Sequence, residues 1–427
     1  MTISDHAPSY YAATAKGSKD RNALSGDLTV DVCVVGGGFT GLSSALHLAE
    51  RGYRVALLEA HRIGWGASGR NGGQMNTGQR KGAEDLISMF GKDDAKKFWN
   101  LSEEARNIVR DRIKQHDIPA DLMWGNYTVA SKPSHAPELE EEVILRRDVF
   151  GYDKSAYVSQ KEMADRLSDT RCFGAIHDPE GNHLHPLNYA LGLANAAEQA
   201  GAQLFEVSPV TRVIESSSGT EVHTKHGTVK ARHAVLATNA YTGDVMPQFA
   251  SRIFPISNFV VTTEPLGEDR ARSLIRDLSA VHNTKFVLDY YRITADFRML
   301  FGGGETYSPS DPKDIAAFVR PYMLNGFPSL EDVKIDHAWG GRLAITHNRL
   351  PYFKRSNNGV YAMCGFSGHG VAMTSLAGKL AAEAIAGDTE RFDMFAKIRH
   401  LPFPGGAILR YPIQVLGMMY YAMRDKL

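Results

Sequence analysis

Cysteine is scarce in this chain of 427 residues: Cys33, Cys172 and Cys364 lie far apart, with no Cys-x-x-Cys pair and no Cys/His spacing of a metal site. That excludes a disulfide-stapled scaffold and a zinc module, and it fits a reducing compartment, so a cytoplasmic location is expected. An excess of charge of either sign is also lacking, since 48 Lys and Arg balance 48 Asp and Glu. No broad basic field recommends nucleic acid or anionic lipid, and a small molecule is the expected partner. No stretch reaches the roughly 18 apolar residues that a membrane helix needs. The opening MTISDHAPSYYAATAKGS has no basic start followed by an apolar core, and the apolar PIQVLGMMYYAM near the end is read as a docked terminal helix. There is no tandem repeat, no low-complexity tract and no Ser/His/Asp set.

Glycine, in contrast, is concentrated where it carries information. Residues 31–59, DVCVVGGGFTGLSSALHLAERGYRVALLE, read as strand, glycine turn, helix, strand and acidic terminus. Gly36, Gly38 and Gly41 give the G-x-G-x-x-G spacing, with one glycine for the tight turn, one for backbone approach to a pyrophosphate and one for helix–strand packing. Phe39 and Thr40 open the helix, whose unpaired amides and positive dipole end face the phosphates. Glu59 closes the second strand eighteen residues after Gly41, beside Ala60. A carboxylate there accepts both ribose hydroxyls and repels a 2′-phosphate, so FAD or NAD fits and NADP does not.

The next nineteen residues, HRIGWGASGRNGGQMNTGQ, hold six glycines and cannot form a regular element. Residues 83–117 show helical periodicity, followed by the strand WGNYTVAS and the helix PELEEEVILRRDVFGY. A long helix is expected after Pro186, then a strand through VSPVTRVI and two more through HTKHGTVKARHAVLAT. FPISNFVVTTEP, KFVLDYYRITADF and RMLFGGG suit an antiparallel sheet. Residues 312–328 read as a helix and DVKIDHAWGGR as a strand, and NGVYAMCGFSGHGVAMTSLAGKLAAEAIAG repeats strand, glycine turn and helix. The order implies a discontinuous cofactor domain, 25–85, 160–250 and 335–427, with a substrate domain from 86–159 and 251–334 and an N-terminal extension, 1–24.

An NAD enzyme needs one glycine fingerprint, whereas this chain carries four glycine-rich or backbone-exposing segments, which implies an enclosed cofactor. VVGGGFTGLSSALHLAERGYRVALLEA, GWGASGRNGGQ, VLATNAYTGD and GFSGHGVAMTSLAGKLAAE together resemble the FAD-dependent amine and amino-acid oxidase family that includes D-amino-acid oxidase, glycine oxidase and sarcosine oxidase. The resemblance spans essentially the whole chain. It implies an α/β fold in which a Rossmann-like, three-layer FAD-binding domain interleaves with a mainly antiparallel β substrate domain. SYYAATA, IGWGASGRNGGQ, GNHLHPLNYALG, LDYYRITAD, GFSGHGV and LPFPGGAILR resemble the branch that acts on gamma-glutamylated polyamines.

The resemblance also implies a set of site residues. Gly66, Ala67, Ser68, Arg70, Asn71, Gly72, Gly73 and Gln74 would lie beside the pyrophosphate and the flavin ring. Val210 would offer backbone to the adenine, and Ala237, Thr238 and Asn239 would pass the cofactor, with Asn239 suited to capping the turn. Gly365, Ser367, Gly368, His369 and Gly370 would aim amides and a helix dipole at the ring edge that gains negative charge on reduction. Tyr290, Tyr291, His369 and Arg342 are the candidate catalytic residues, although strand alternation lets only one of the two tyrosines face a pocket. Lys285 is a candidate cation for oxygen activation, and His183 and His185 read as structural. Amino-acid oxidases of the family clamp the substrate carboxylate with an arginine after a glycine pair. Here Gly340, Gly341 and Arg342 run into LAITHNRLPYF without the family's G-L-R-P order, which suits an amine whose carboxylate is remote from the reacting carbon. No cysteine falls in residues 342–353, so non-covalent FAD is expected.

The function implied is oxidative deamination of the primary amine of a gamma-glutamylated polyamine, with molecular oxygen as acceptor and an aldehyde, ammonia and hydrogen peroxide as products. Two other readings stand beside it: a sarcosine- or D-amino-acid-type FAD dehydrogenase with a different acceptor, and a non-catalytic FAD or polyamine-conjugate binding protein. No metal is expected, and the sequence assigns no oligomeric state.

Overall fold

A computed structural model describes residues 5–243, 245–306 and 311–403, together with Val415. The terminal helix expected within PIQVLGMMYYAM lies outside these residues except for Val415. Among them no helix is long and apolar enough to cross a membrane.

Two sheets organise the chain. The first runs Tyr352–Arg355, Val360–Cys364, Thr228–Leu236, Leu28–Val35, Val55–Leu58 and Gln203–Phe205, with the hairpin Val210–Ser216/Gly219–Thr224 attached to Thr228–Leu236. Its central pairs are parallel, and the hairpin and the Tyr352–Arg355 edge are antiparallel. A parallel strand buried on both faces reads as a nearly unbroken apolar run, which is why DVCVV carries no clean alternation. Val32 and Val34 pack with the helices Phe39–Glu50, Pro186–Gln199 and Gly370–Ile385, whereas Cys33 and Val35 pack on the opposite side with Val213 and Val222 of the hairpin. Helices, sheet and hairpin make the three layers. Helices Phe39–Glu50 and Gly370–Ile385 cross closely enough for Ser43 Oγ to donate to the Ser375 carbonyl at 2.6 Å.

The second sheet has the order Ile335–Ile345, Phe254–Thr263, Met299–Thr306, Tyr290–Ile293, Ala280–Asn283, Met123–Val129, Gly174–His183 and Gln74–Met75, with Ala156–Ser159 on Gly174–His183. All its pairs are antiparallel except Ala280–Asn283 with Met123–Val129. Helix Ile315–Gly326 covers one face through Val319 and Met323, packed with Phe259, Phe301 and Tyr291.

Three differences from the sequence reading have clear causes. Strands Gly174–His183 and Ile335–Ile345, placed by sequence with the cofactor segments, hydrogen-bond within the second sheet. KFVLDYYRITADF forms strand only over Tyr290–Ile293, because the Asn283 side chain accepts from the Lys285 and Asp289 amides and curls the preceding residues. The N-terminal extension is built into the junction of the sheets: Tyr11 packs edge-on to Trp339, and the Tyr10 hydroxyl donates to Asp296.

Twelve histidines are held below the ordinary 6.5 by burial, six of them furthest: His47, His369 and His400 at about 4, and His183, His185 and His282 at about 3. As the pH falls through 6.5 the unfolded chain takes up protons that the native state refuses, so the stability held by these neutral rings is complete above that value and is lost towards pH 4. Glu59 and Glu103, pushed up by burial, act in the opposite sense, but they are two groups against twelve. The thermal midpoint is therefore expected to drop by several degrees from about pH 7 to about pH 5 at constant ionic strength. A flat profile by circular dichroism would contradict this.

Candidate functional site

The site begins at the turn after Leu28–Val35. Gly36 adopts a φ of +107°, and a side chain there would meet the Ala237 carbonyl oxygen at 2.8 Å. Gly41, one helical turn on, packs against the Gly36 carbonyl so closely that no Cβ fits. Strand, turn and helix thus approach at the distance the spacing requires. Helix Phe39–Glu50 starts at Gly38, which has no side chain to cap it. Ser68 Oγ accepts from the Phe39 amide at 2.9 Å, tying the second glycine loop to that terminus. The half-buried Glu59 accepts from the Gly37 amide at 2.6 Å and the His61 amide at 2.9 Å. Burial pushes its carboxyl above the usual range against the pull of those amides.

A cavity of about 340 Å³ runs along these groups. Gly36, Gly38, Phe39, Thr40, Glu59 and Ala60 line one stretch of it, and Gly66, Ala67, Ser68 and Asn71 another. Val210, the group Ala237, Thr238 and Asn239, and the group Ser367, Gly368 and Gly370 complete the residues expected from sequence. Segments hundreds of residues apart thus converge on one cradle of glycines, small residues and backbone. A ribose acceptor and a helix terminus that opens on glycine in the same cradle are what an FAD requires, and the residues present fit that group. Sequence reasoning missed His61, Trp65 and Tyr241, which line the cavity as an aromatic wall. His61 stacks on Trp65 at 3.9 Å, and Tyr241 meets Trp65 edge-on at 5.6 Å.

A smaller chamber of about 130 Å³ shares Ala67, Asn71, Leu343, Ser367, Gly368 and Val371 with the first. Arg70, Gly72, Gln74, Tyr290 and Arg342, all named from sequence, line this chamber. Asn76, Arg80, Asn258, His282, Phe286, Leu288 and Arg349 were missed; they lie on irregular stretches or mid-strand, where no spacing rule marks them. The Tyr290 ring is wedged between Gly72 and Gly302, where a Cβ would come within 2.5 Å and 2.0 Å of it respectively. Its hydroxyl donates to Asn258 Oδ1. The tyrosine is therefore held rigidly at the chamber wall.

Several expected site residues lie elsewhere. Tyr291 points to the opposite face of its strand, is 1% exposed, stacks on Phe301 and donates to Asp169 at 2.7 Å, so it belongs to the core. His369 lines neither cavity; its Nε2–H donates to the Gly78 carbonyl at 2.7 Å, and burial keeps the ring neutral near pH 7. Gly41, Gly73 and Gly365 shape the backbone without lining either cavity. Asn239 accepts from the Gly365 amide at 3.0 Å and so joins two cofactor-side loops. Lys285 pairs with Asp289 at 2.9 Å and lines neither cavity. His183 Nε2–H donates to the Leu278 carbonyl, and His185 Nδ1 caps helix Pro186–Gln199 by accepting from the Asn188 amide. Both are structural.

Comparison with known proteins agrees with this geometry. The family model for FAD dependent oxidoreductases, DAO, matches residues 31–384. The chain is 43% identical to the gamma-glutamylputrescine oxidoreductase of Escherichia coli (strain K12) over 426 residues, 100% of both chains. It is 39% identical to the probable oxidoreductase OrdL of Haemophilus influenzae, covering 99% of this chain and 98% of that one. Among solved structures, glycine oxidase from Geobacillus kaustophilus superposes with a TM-score of 0.74 at 21% identity, covering 88% of this chain and 100% of that chain. L-proline dehydrogenase from P. horikoshii gives 0.72, also at 21% identity, covering 87% and 98%.

Replacing Glu59 with alanine strands the Gly37 and His61 amides and removes the ribose acceptor. FAD affinity of the apoprotein is expected to weaken by about tenfold or more, since one lost charge-assisted hydrogen bond is worth about 1.5–3 kcal/mol. Fluorescence titration of apoprotein with FAD measures it, and an unchanged dissociation constant would remove Glu59 from the cradle.

Proposed function

The chain belongs to the FAD dependent oxidoreductase family, whose members bind FAD, and on that premise we propose that it oxidises the primary amine of gamma-glutamylputrescine, or of a closely related gamma-glutamylated polyamine, with molecular oxygen as acceptor. The observation that carries this reading is the 43% identity, over the full length of both chains, to a gamma-glutamylputrescine oxidoreductase. Bound FAD supplies the two-electron acceptor for the C–H bond beside nitrogen and, with oxygen, the route to hydrogen peroxide. The resulting imine takes up water and parts into gamma-glutamyl-aminobutyraldehyde and ammonia, so no protein nucleophile is called for.

What the chain contributes is alignment and exclusion of water. Glu59 and the Gly36–Gly41 turn hold the nucleotide end. Ser367, Gly368 and the N-terminus of helix Gly370–Ile385 are the groups that would stabilise negative charge at the ring edge. Tyr290, immobilised between two glycines, forms the wall against which the amine is set. None of the three cysteines lines either cavity, which supports a dissociable cofactor. Precipitation with acid is then expected to leave the yellow colour in the supernatant and a white pellet; a coloured pellet would mean a covalent link.

The decisive experiment is the visible spectrum of the purified protein, recorded anaerobically before and after gamma-glutamylputrescine and again on admitting air. Bleaching, followed by recovery with peroxide, is expected. Bleaching that air does not reverse but a quinone does would make the protein a dehydrogenase. A flavin that no amine bleaches would overturn the substrate reading.

A further inference from the structure

We infer that Gln74 and Asn76 hold the reacting nitrogen of the substrate, their side-chain amide oxygens accepting its N–H groups and so fixing the rotation about the carbon–nitrogen bond that is oxidised. The inference rests on the amine-oxidising reading of the site and adds to it the residues that meet the amine itself. Gln74, placed beside the cofactor by the sequence reading, lines the smaller chamber and not the larger cavity.

The chamber is rich in donors and poor in acceptors. Its arginines can only donate, and among the described residues no aspartate or glutamate lines it. Asn71, Gln74, Asn76 and Asn258 bring side-chain amides to the lining. Asn71 is fully committed: its oxygen accepts from the Gly73 amide at 2.8 Å, and its nitrogen donates to the Ala67 carbonyl at 2.9 Å and the Ser68 carbonyl at 3.1 Å. The Asn258 oxygen is taken by the Tyr290 hydroxyl. Gln74 and Asn76 remain.

Gln74 is oriented by its nitrogen. Nε2 donates to the Val281 carbonyl at 2.9 Å and to the Tyr291 carbonyl at 3.2 Å, on the paired strands Ala280–Asn283 and Tyr290–Ile293. Both amide protons are used, and the two carbonyls require nitrogen rather than oxygen on their side. Oε1 therefore points the opposite way; it meets no donor among the described residues, and it is not sealed off as the orphaned oxygen of Gln79 is. The backbone beneath is fixed as well, since Gln74 and Met75 pair with His183 and Asn182. Asn76 follows on the same face, because side chains alternate and Met75 between them is 1% exposed in the core. The Asn76 amide makes no hydrogen bond among the described residues, and its oxygen is enclosed. An enclosed polar group without a partner is costly, and in a ligand chamber a donor on the ligand removes that cost.

A primary amine brings two N–H groups and one lone pair to such a pair of acceptors. With both N–H groups held, the direction of the lone pair is set relative to the neighbouring carbon. As the hydride leaves that carbon, the lone pair becomes the C=N bond and the nitrogen turns positive, so both hydrogen bonds become charge-assisted in the transition state. They stabilise the reaction more than they stabilise the bound substrate, which places their effect in the rate of reduction rather than in affinity.

The test follows anaerobic bleaching of the flavin by gamma-glutamylputrescine in a stopped-flow instrument, for the FAD-loaded wild type, Gln74→Met and Asn76→Leu. Beside it, the dissociation constant of gamma-glutamyl-n-pentylamide is measured, an analogue with a methyl group where the amine stands. Each variant is expected to lower the limiting rate of bleaching by about tenfold or more, the loss that one charge-assisted hydrogen bond brings, while its affinity for the pentylamide stays within about twofold of the wild type. Asn76→Leu is the stricter variant, because Asn76 makes no hydrogen bond that holds the fold, and it carries the test should Gln74→Met fail to load FAD. An Asn76→Leu rate equal to the wild type, or losses of rate matched by an equal weakening of pentylamide binding, would overturn the inference while leaving the proposed function standing. A wild type that gamma-glutamylputrescine does not bleach would remove both.

Discussion

One buried guanidinium holds the two halves of the site in register. Arg292 is 3% exposed and has no carboxylate among its hydrogen-bond partners; it donates to the Gly72 carbonyl at 2.8 Å and the Leu184 carbonyl at 2.9 Å, with His183 Nδ1 and the Tyr11 hydroxyl filling its remaining directions. Desolvating a charge costs several kcal/mol, and here only oriented neutral dipoles repay it. The arrangement therefore stands only while every partner keeps its place. The glycine loop from one sheet, the start of helix Pro186–Gln199, the N-terminal segment and the central strand of the second sheet are all fixed by the same group. His183, next to this cation and fully enclosed, is forced to stay neutral.

The positions at the cofactor junction follow from that anchor. With Arg292 committed to the loop, strand alternation sends Tyr290 to the same face and Tyr291 to the core. Tyr290 then falls between Gly72 of the loop and Gly302 of the adjacent strand, and the chamber acquires a wall with almost no freedom to move. Trp339 adds a parallel tie, donating from its indole nitrogen to the Arg70 carbonyl at 2.9 Å. Two neighbouring cavities result, one made of backbone and small residues along a nucleotide path, the other of arginines, amides and apolar side chains.

The larger cavity was legible in sequence because the physics of its turn is local. A tight turn, a close helix and a terminal carboxylate each demand a residue type at a fixed spacing, so Gly36, Gly38, Gly41 and Glu59 could be read directly. Val210, Ala237 and Ser367 needed the family resemblance, since a residue that offers only backbone leaves no mark of its own. The smaller chamber was largely illegible. Asn258, His282 and Arg349 meet only because strands distant in sequence pair in the second sheet, and nothing near any of them announces it. His369 misled for an instructive reason: a histidine in a glycine turn before a helix looks poised for chemistry, but the turn rotates its ring towards Gly78. Tyr291 lost its place to parity alone.

The parallel strand Leu28–Val35 takes its hydrogen-bond partners from Val55–Leu58 on one side and from Thr228–Leu236 on the other. While the chain emerges from a ribosome, the glycine fingerprint is thus among the first segments made, yet one edge of its strand waits for about two hundred further residues before it can pair. Loop-closure entropy must be met before any stabilisation returns, and an apolar strand edge stays open in the interval. The nucleotide cradle, although it begins near the N-terminus, is completed only when the segment around Gly370 arrives. No shorter length of the emerging chain can therefore offer a ligand the whole of that cavity.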